Sequence, residues 1–274
     1  GVVHYNAPQL LSIPHLTSGK SSVIHLTNRA LKDLTLTSDQ TRAGVMDSVL
    51  DSIGLAIASG KYPEGTSIPT EPELMEAFGV GRSSVREAIR SLVALGMVET
   101  APRRGTVVNP KSKWSMLSRE TMRWIMAGKV HQTELLGAID EARLIFEPSS
   151  AALVARRATR MQIIGIETAF ARMEDAAERG DAEAAVSADR QFHLAILQAT
   201  GNPILEAFDA ALDSVLGVLF SVTANHMENF RANLSNHLAV VEAIRRHDPE
   251  GAFKAMTDTI GFTTTRMKDA GLIE

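Results

Sequence analysis

Apolar positions recur with a helical period from about Gly44 onward. Those of MDSVLDSIGLAIASGKY (residues 46–62) fall near one stripe, which predicts a helix that ends around Gly60. In TEPELMEAFGV, Thr70 at an N-cap position and Glu73 three residues later predict a second, short helix. SSVREAIRSLVALG predicts a third, and after Gly96 the period changes to two, as in a hairpin of two strands. The order of elements over residues 44–110 predicts a winged helix-turn-helix.

The rest of the chain, from Trp114 onward, has a helical pattern throughout. SMLSRETMRWIMAG predicts a short helix that joins the two halves, and six longer helical stretches follow, with Gly, Asn, Asp or Pro at their ends. We therefore predict an α+β winged helix-turn-helix domain followed by an all-α helical-bundle effector domain. The predicted parts are an N-terminal arm without a sustained period (1–41), the winged domain (42–111), a linker helix (112–130) and the helical domain (131–274).

Composition narrows the class of protein. The chain has 274 residues with 45% apolar and 22% charged positions, as in a globular protein of about two domains. Its net charge of -4 means that a nucleic-acid site must be a local basic patch. The absence of cysteine excludes disulfides and thiolate metal sites. No segment resembles a membrane span or a signal peptide, so we expect a cytoplasmic protein without a membrane partner.

The third predicted helix carries such a basic patch. Arg82, Arg86 and Arg90 follow one another at four-residue spacing and so share a face opposite the apolar positions. In a winged helix-turn-helix, this face of the recognition helix enters the DNA major groove. The predicted DNA-binding residues are those of the helix and of the basic wing tip, namely Arg82, Ser83, Ser84, Arg86, Arg90, Arg104 and Gly105. The alternative is a solvated helix face on which Glu87 pairs with Arg90 or Arg103.

Three features of the helical half are candidates for a ligand-binding or metal-binding site between the helices. Asp189 and His193 are four residues apart, a spacing at which a carboxylate and an imidazole can bind one metal ion. His237 lies in a separate predicted helix. Arg143 falls in an apolar stretch, where its charge requires an anionic partner. The alternatives are an ordinary hydrogen-bonded pair, a histidine satisfied within the protein, and a salt bridge from Arg143 to Glu147.

The N-terminal motifs resemble those of the GntR family of bacterial repressors. The similarity runs from GKYPEG (residues 60–65) through IPTE and FGVGRSSVREA to Arg104 and Gly105. It implies that Arg82, Arg86 and Gly105 contact operator DNA and that Ser83, Ser84 and Arg104 assist. Pro72 stands where the family often has a basic residue, and this implies that one contact is missing.

The C-terminal half resembles the FCD effector domain of the FadR branch of that family. The similar segments are EARLIFEPSSAALVARRAT, ADRQFHLAILQATGNPIL and NHLAVVEAIRRHDPEGAFKAM. In metal-binding members one Asp and three His residues bind a divalent cation. The resemblance implies that Asp189, His193 and His237 are three of these ligands, with zinc the expected metal. Thr259 occupies the position of the fourth ligand, so either the site binds a metal through three side chains, or it recognises its effector by hydrogen bonds alone.

The linker KWSMLSRETMRWIM and the segment TTTRM are similar to the sugar-acid branch of this group, in particular its galactonate-responsive repressors. This resemblance implies a homodimer that binds a palindromic operator and is released by a small carboxylate effector such as an aldonate. It also implies that Arg143 and Arg266 hold the effector carboxylate and that Thr259 faces the effector. The two tryptophans, Trp114 and Trp124, are expected to form the hinge between the halves.

Two other functions remain open from the sequence. Asp and His side chains around a metal ion with an open position are also the arrangement of a metal-dependent hydrolase. Against this, the sequence contains no HExxH motif and no nucleophile elbow. The other alternative is an acyl-CoA-responsive regulator, which requires a long apolar tunnel. We predict a regulator and not an enzyme, with no catalytic residues.

Overall fold

The computed structural model describes residues 42–206, 208 and 227–273. The predicted N-terminal arm lies outside this part of the chain. The fourth of the six helical stretches predicted after the linker is NPILEAFDAALDSVLGVLFSVTANHM (residues 202–227), and most of it also lies outside this part of the chain.

The first five elements form the predicted winged helix-turn-helix. They are α1 (Arg42–Ala58), α2 (Glu71–Phe78), α3 (Arg82–Ala94), β1 (Val98–Ala101) and β2 (Gly105–Val108). The two strands are antiparallel, with Val98 opposite Val108 and Ala101 opposite Gly105. The predicted order of helices and hairpin is therefore confirmed.

Local interactions fix the ends of α2. The carboxylate of Glu73 accepts hydrogen bonds from the Thr70 backbone N–H at 2.7 Å and from its hydroxyl at 2.8 Å. This places the helix start where the capping-box pattern predicted it. Gly79, at φ 64°, ends the helix in the left-handed region that glycine adopts without strain. The short turn that follows leads directly into α3.

The linker helix α4 (Arg119–Gly128) packs against α1. A 3-10 turn at Lys111–Lys113 precedes it. Trp124 is buried, and its indole Nε1 donates to Asp51 of α1 at 3.0 Å. Trp114 is also buried, and its Nε1 donates to the carbonyl of Asn109 at 3.0 Å. Both tryptophans are therefore fixed within the packed interior.

The remaining helices form a bundle. They are α5 (Gln132–Arg157), α6 (Arg160–Arg179), α7 (Ala182–Ala199), α8 (Pro203–Glu206), α9 (Met227–Arg245) and α10 (Pro249–Asp269). Helix α5 packs against α7, α9 and α10, while α6 packs against α7 and α9. Within the described ranges after Trp114 there is no strand, as predicted. None of the described helices is both long and apolar enough to cross a membrane.

The buried apolar residues form two clusters. One lies within the bundle and includes Phe192 and Val240. The other begins in the winged domain, includes both tryptophans, and continues into the helical half through Leu136, Leu197 and Met267. The two tryptophans expected to form the hinge therefore lie in a core that both halves share.

Candidate nucleic-acid interface and metal centre

The exposed face of α3 carries the three predicted arginines. The side chains of Arg82 and Arg86 are 68% and 51% exposed, whereas Val85 and Leu92 are fully buried beneath them. Arg90 is exposed and pairs with Glu87 at 3.0 Å, as the alternative interpretation expected. This face therefore offers Arg82 and Arg86 at the N-terminal end of the helix, the end that a recognition helix typically presents to a DNA groove.

A carboxylate from α2 holds these two arginines side by side. Oε2 of Glu71 lies 3.3 Å from Nε of Arg82 and 3.1 Å from Nε of Arg86. Although its slight burial favours the neutral acid, hydrogen bonds and charge attraction from Arg86 and Arg82 keep the pKa of Glu71 below its usual range. The sequence pattern gives no sign of this role for Glu71, since the contact joins residues of two different helices.

The wing tip is anchored to the loop before α2. Arg104 donates from Nη2 to the carbonyl of Gly65 at 2.7 Å, and its own carbonyl accepts from the hydroxyl of Ser67 at 2.7 Å. Gly105 is exposed at the start of β2, and Ser83 is exposed at the start of α3, with Ser84 half-buried beside it. The two contacts of Arg104 thus hold the wing tip against the loop before α2.

The metal ligands predicted from the sequence come together inside the bundle. Asp189 and His193 lie on α7 and His237 lies on α9, and all three are buried. Nε2 of His237 is 2.9 Å from Oδ1 of Asp189, and Nε2 of His193 is 3.9 Å from the same oxygen. One potential ligand atom from each residue lies within 4.8 Å of those of the other two.

Each histidine has an oxygen acceptor behind its ring. Nδ1 of His237 lies 2.9 Å from the carbonyl of Asn233, whose side-chain amide donates to the carbonyl of Thr259. Because a carbonyl only accepts, this contact places the proton on Nδ1 and directs Nε2 toward Asp189. Nδ1 of His193 lies 2.5 Å from Oε2 of Glu147. Metal-binding histidines have such backing oxygens as a rule.

Several buried polar atoms of this cluster have no hydrogen-bond partner among the described residues. They include Oδ2 of Asp189 and Nε2 of His237. Since buried polar atoms are nearly always paired, the cluster lacks a partner. One carboxylate and two imidazoles form a donor set that suits Zn²⁺, so these residues fit a metal.

Arg143 and Glu147 extend the cluster along α5. Nε of Arg143 lies 2.6 Å from Oε1 of Glu147, and both side chains are at least 96% buried. Burial alone would raise the pKa of Glu147, but Arg143 and His193 outweigh it and lower that pKa to about 2. The salt bridge considered for Arg143 is therefore present. Nη1 of Arg143 nevertheless has no partner in the described chain.

The other two residues predicted to bind the effector, Thr259 and Arg266, lie in different environments. Thr259 is buried on α10, and its hydroxyl donates to the carbonyl of Ala255 at 2.8 Å, so only its oxygen lone pairs are free to face a ligand. Arg266 is exposed in the last turn of α10. Its guanidinium lies 5.1 Å from the ring centre of Phe262 and 3.4 Å from Asp269. Arg266 therefore does not join the buried cluster, contrary to the prediction that it acts with Arg143.

A winged helix-turn-helix joined to an all-helical domain with a buried polar site is the architecture of a ligand-responsive DNA-binding regulator. Residues 46–108 match the gntR family of bacterial regulatory proteins, and residues 138–262 match the FCD domain. The chain belongs to the GntR family of transcription regulators and carries an FCD domain.

Named relatives agree with this assignment. The chain is 34% identical over 224 residues to the galactonate operon transcriptional repressor of Escherichia coli K12, covering 81% of this chain and 96% of that protein. It is 31% identical over 222 residues to the repressor NanR of the same strain, and the alignment covers 78% of this chain and 81% of that protein. The solved structure of Lar, which controls expression of the Listeria monocytogenes agr system, aligns with a TM-score of 0.62 at 18% identity, covering 85% of this chain and 99% of that one. The last similarity concerns the fold alone.

Proposed function

We propose that this regulator is a repressor that binds a near-palindromic operator as a homodimer and releases it when a small carboxylate effector binds. The effector we favour is a sugar acid such as an aldonate. The effector site is inferred from a buried chain of charged and polar side chains, some of whose atoms have no partner among the described residues. The chain consists of Arg143, Glu147, His193, Asp189 and His237. The relative that represses the galactonate operon supports the class of effector.

The operator-binding residues would be those on α3 and the wing. Arg82 and Arg86 have planar forks suited to guanine O6 and N7 or to phosphate. Ser83, Ser84 and Arg90 would add contacts along the helix. Arg104 would keep the wing in place, and Gly105 would let its backbone approach a groove closely.

The effector would bind among α5, α7 and α9. Asp189, His193 and His237 would hold a divalent cation such as Zn²⁺, which when bound attracts carboxylate and hydroxyl oxygens. Arg143 would donate from Nη1, which has no partner among the described residues, to the effector carboxylate, because a guanidinium is a donor only and matches a carboxylate well. Thr259 would face the same space with its oxygen lone pairs.

The dimer contact would lie between helical domains, because two half-sites of a palindrome require two-fold symmetry and the winged domain alone is small. Release would follow from a difference in effector affinity between the operator-bound and free arrangements. A coupling of about 1–3 kcal/mol would release the operator on the order of 5–150-fold.

Thermal unfolding against a panel of sugar acids, with and without a chelator, tests the effector site. We expect one aldonate to raise the melting temperature by mass action, and the chelator to remove most of this effect. Asp189→Asn should behave like the chelated protein, whereas Asp175→Asn, at an exposed position on α6, should behave like the wild type.

Two results would contradict the proposal. Stabilisation that survives the chelator would exclude the metal from effector binding. No shift with any sugar acid would exclude this class of effector. Recovery of the aldonate unchanged after incubation separates an effector from the substrate of a hydrolase.

A further inference from the structure

One face of α5 carries three buried polar side chains. Arg143, Glu147 and Ser150 lie at positions i, i+4 and i+7, and they are 2%, 4% and 2% exposed. This spacing stacks them along the same side of the helix. Because Glu147 contacts His193 of α7, this side faces the cluster that would hold the metal. Ser150 therefore extends the polar stripe by one turn.

The hydroxyl of Ser150 has no hydrogen-bond partner in the part of the chain that the structure describes. A serine within a helix commonly donates to the carbonyl one turn earlier. The preceding residue shows this ordinary behaviour, since the exposed Ser149 donates to the carbonyl of Ile145 at 3.2 Å. A buried hydroxyl without a partner is costly, so Ser150 differs from Ser149 in needing a partner from outside the helix.

The unpartnered groups specify the chemistry of that partner. Nη1 of Arg143 only donates and so requires an acceptor, for which a carboxylate is well suited, while Oδ2 of Asp189 only accepts when ionised and so requires a cation or a donor. The Ser150 hydroxyl can do both. A carboxylate that also carries at least one hydroxyl satisfies all three, whereas a simple fatty acid offers only its carboxylate.

We infer that Ser150 determines specificity within the effector site, by hydrogen bonding to a hydroxyl of a carboxylate held by Arg143. The inference rests on the proposed function and adds the residue that distinguishes hydroxy acids from plain acids. An acid without hydroxyls leaves Ser150 buried and unpaired, and sites built to bond a hydroxyl discriminate strongly against ligands that lack one.

Binding calorimetry on the metal-loaded full chain tests this role. The probes are D-gluconate, D-galactonate and D-mannonate, with hexanoate as a six-carbon acid without hydroxyls. Ser150→Ala should weaken binding of the tightest aldonate roughly tenfold and leave hexanoate binding unchanged, because one buried hydrogen bond is lost. The matched control Ser149→Ala should bind both acids like the wild type. Operator affinity without effector should be the same for all three proteins.

The outcomes separate this inference from the proposed function. If the wild type binds an aldonate and Ser150→Ala binds it equally well, Ser150 has a packing role only and the proposed function stands. If no aldonate binds the wild type, the role of Ser150 and the proposed effector class are both wrong, and the wild-type measurement alone shows this. Should Ser150→Ala not fold, Ser150→Cys fills the same space with a weak donor and carries the same expectation.

Discussion

At the scale of single residues, one carboxylate organises the surface proposed to contact DNA. Glu71 reaches from the first turn of α2 to both Arg82 and Arg86. An exposed ion pair contributes little to stability, so this contact matters mainly for orientation. It limits the positions of two flexible side chains before DNA arrives, which lowers the entropic cost of placing them in a groove.

Glu71→Gln should therefore reduce the preference for operator over random DNA more than it reduces the overall affinity for DNA. The variant loses the charge that aligns the arginines, but it also loses a negative charge near the DNA phosphates. We expect operator binding to weaken by several fold, while binding to random DNA stays equal or tightens. Titrations of operator and random DNA at several salt concentrations measure both.

Glu87→Gln is the control, because Glu87 pairs only with Arg90 on the same helix among the contacts described for it. It should leave the ratio of operator to random affinity near that of the wild type. An equal loss of both affinities in Glu71→Gln, together with a lower melting temperature, would indicate that Glu71 merely stabilises α2.

At the scale of elements, the crossing of α1 and α4 depends on small residues. A Cβ atom at Gly54 of α1 would lie 2.4 Å from the indole ring of Trp124, closer than any real contact. A Cβ at Gly128 of α4 would lie 2.9 Å from the backbone nitrogen of Ser59. The two helices therefore approach closely at both points, and the linker helix packs as part of the winged domain.

Gly54→Ala should destabilise the protein although alanine favours helix. Overpacking against a buried ring costs about 1–3 kcal/mol, which outweighs the gain in helix propensity. Chemical denaturation should show a lower midpoint with an unchanged slope. Gly165→Ala, at an exposed position in α6 with no atom near the new Cβ, should be neutral or stabilising by up to about 1 kcal/mol. A stable Gly54→Ala protein would mean that α4 shifts away from α1 easily.

At the scale of the whole molecule, the two halves are joined by more than a linker. They share a core, and an ion pair joins Lys111, just after the wing, to Glu134 in the first turn of α5. Movement of the winged domain must therefore repack this core, and Trp114 and Trp124 lie within it. They are the only tryptophans in the chain, so their fluorescence reports on this region alone.

Operator binding and effector binding should nevertheless depend on different halves of the chain. Arg86→Ala should weaken operator binding by roughly 1–3 kcal/mol and leave effector binding intact, because it removes one groove contact. Arg143→Ala should bind operator normally but fail to release it. In the wild type, the effector should change tryptophan emission, and Arg143→Ala should abolish that change. Mobility-shift and fluorescence titrations measure these effects. Loss of both operator binding and effector binding in either variant would contradict the assignment of these two functions to separate halves of the chain.

The sequence by itself determined the local features of this protein. It specified the order of elements in the winged domain, the capped start of α2 at Thr70, and the separation of the α3 arginines from the buried face. It also placed Asp189 and His193 on one side of a helix. Each of these depends on residues within a few turns of one another, where periodicity and capping chemistry decide the outcome.

The tertiary structure decided which distant residues meet. It brought His237 to Asp189, Glu147 to His193, and Glu71 to the two arginines. It also left Arg266 on the surface and buried both tryptophans. Such contacts depend on how helices far apart in the chain pack together. No local pattern encodes that packing, because it is selected by the joint burial of many apolar faces and by the pairing of every charge buried with them.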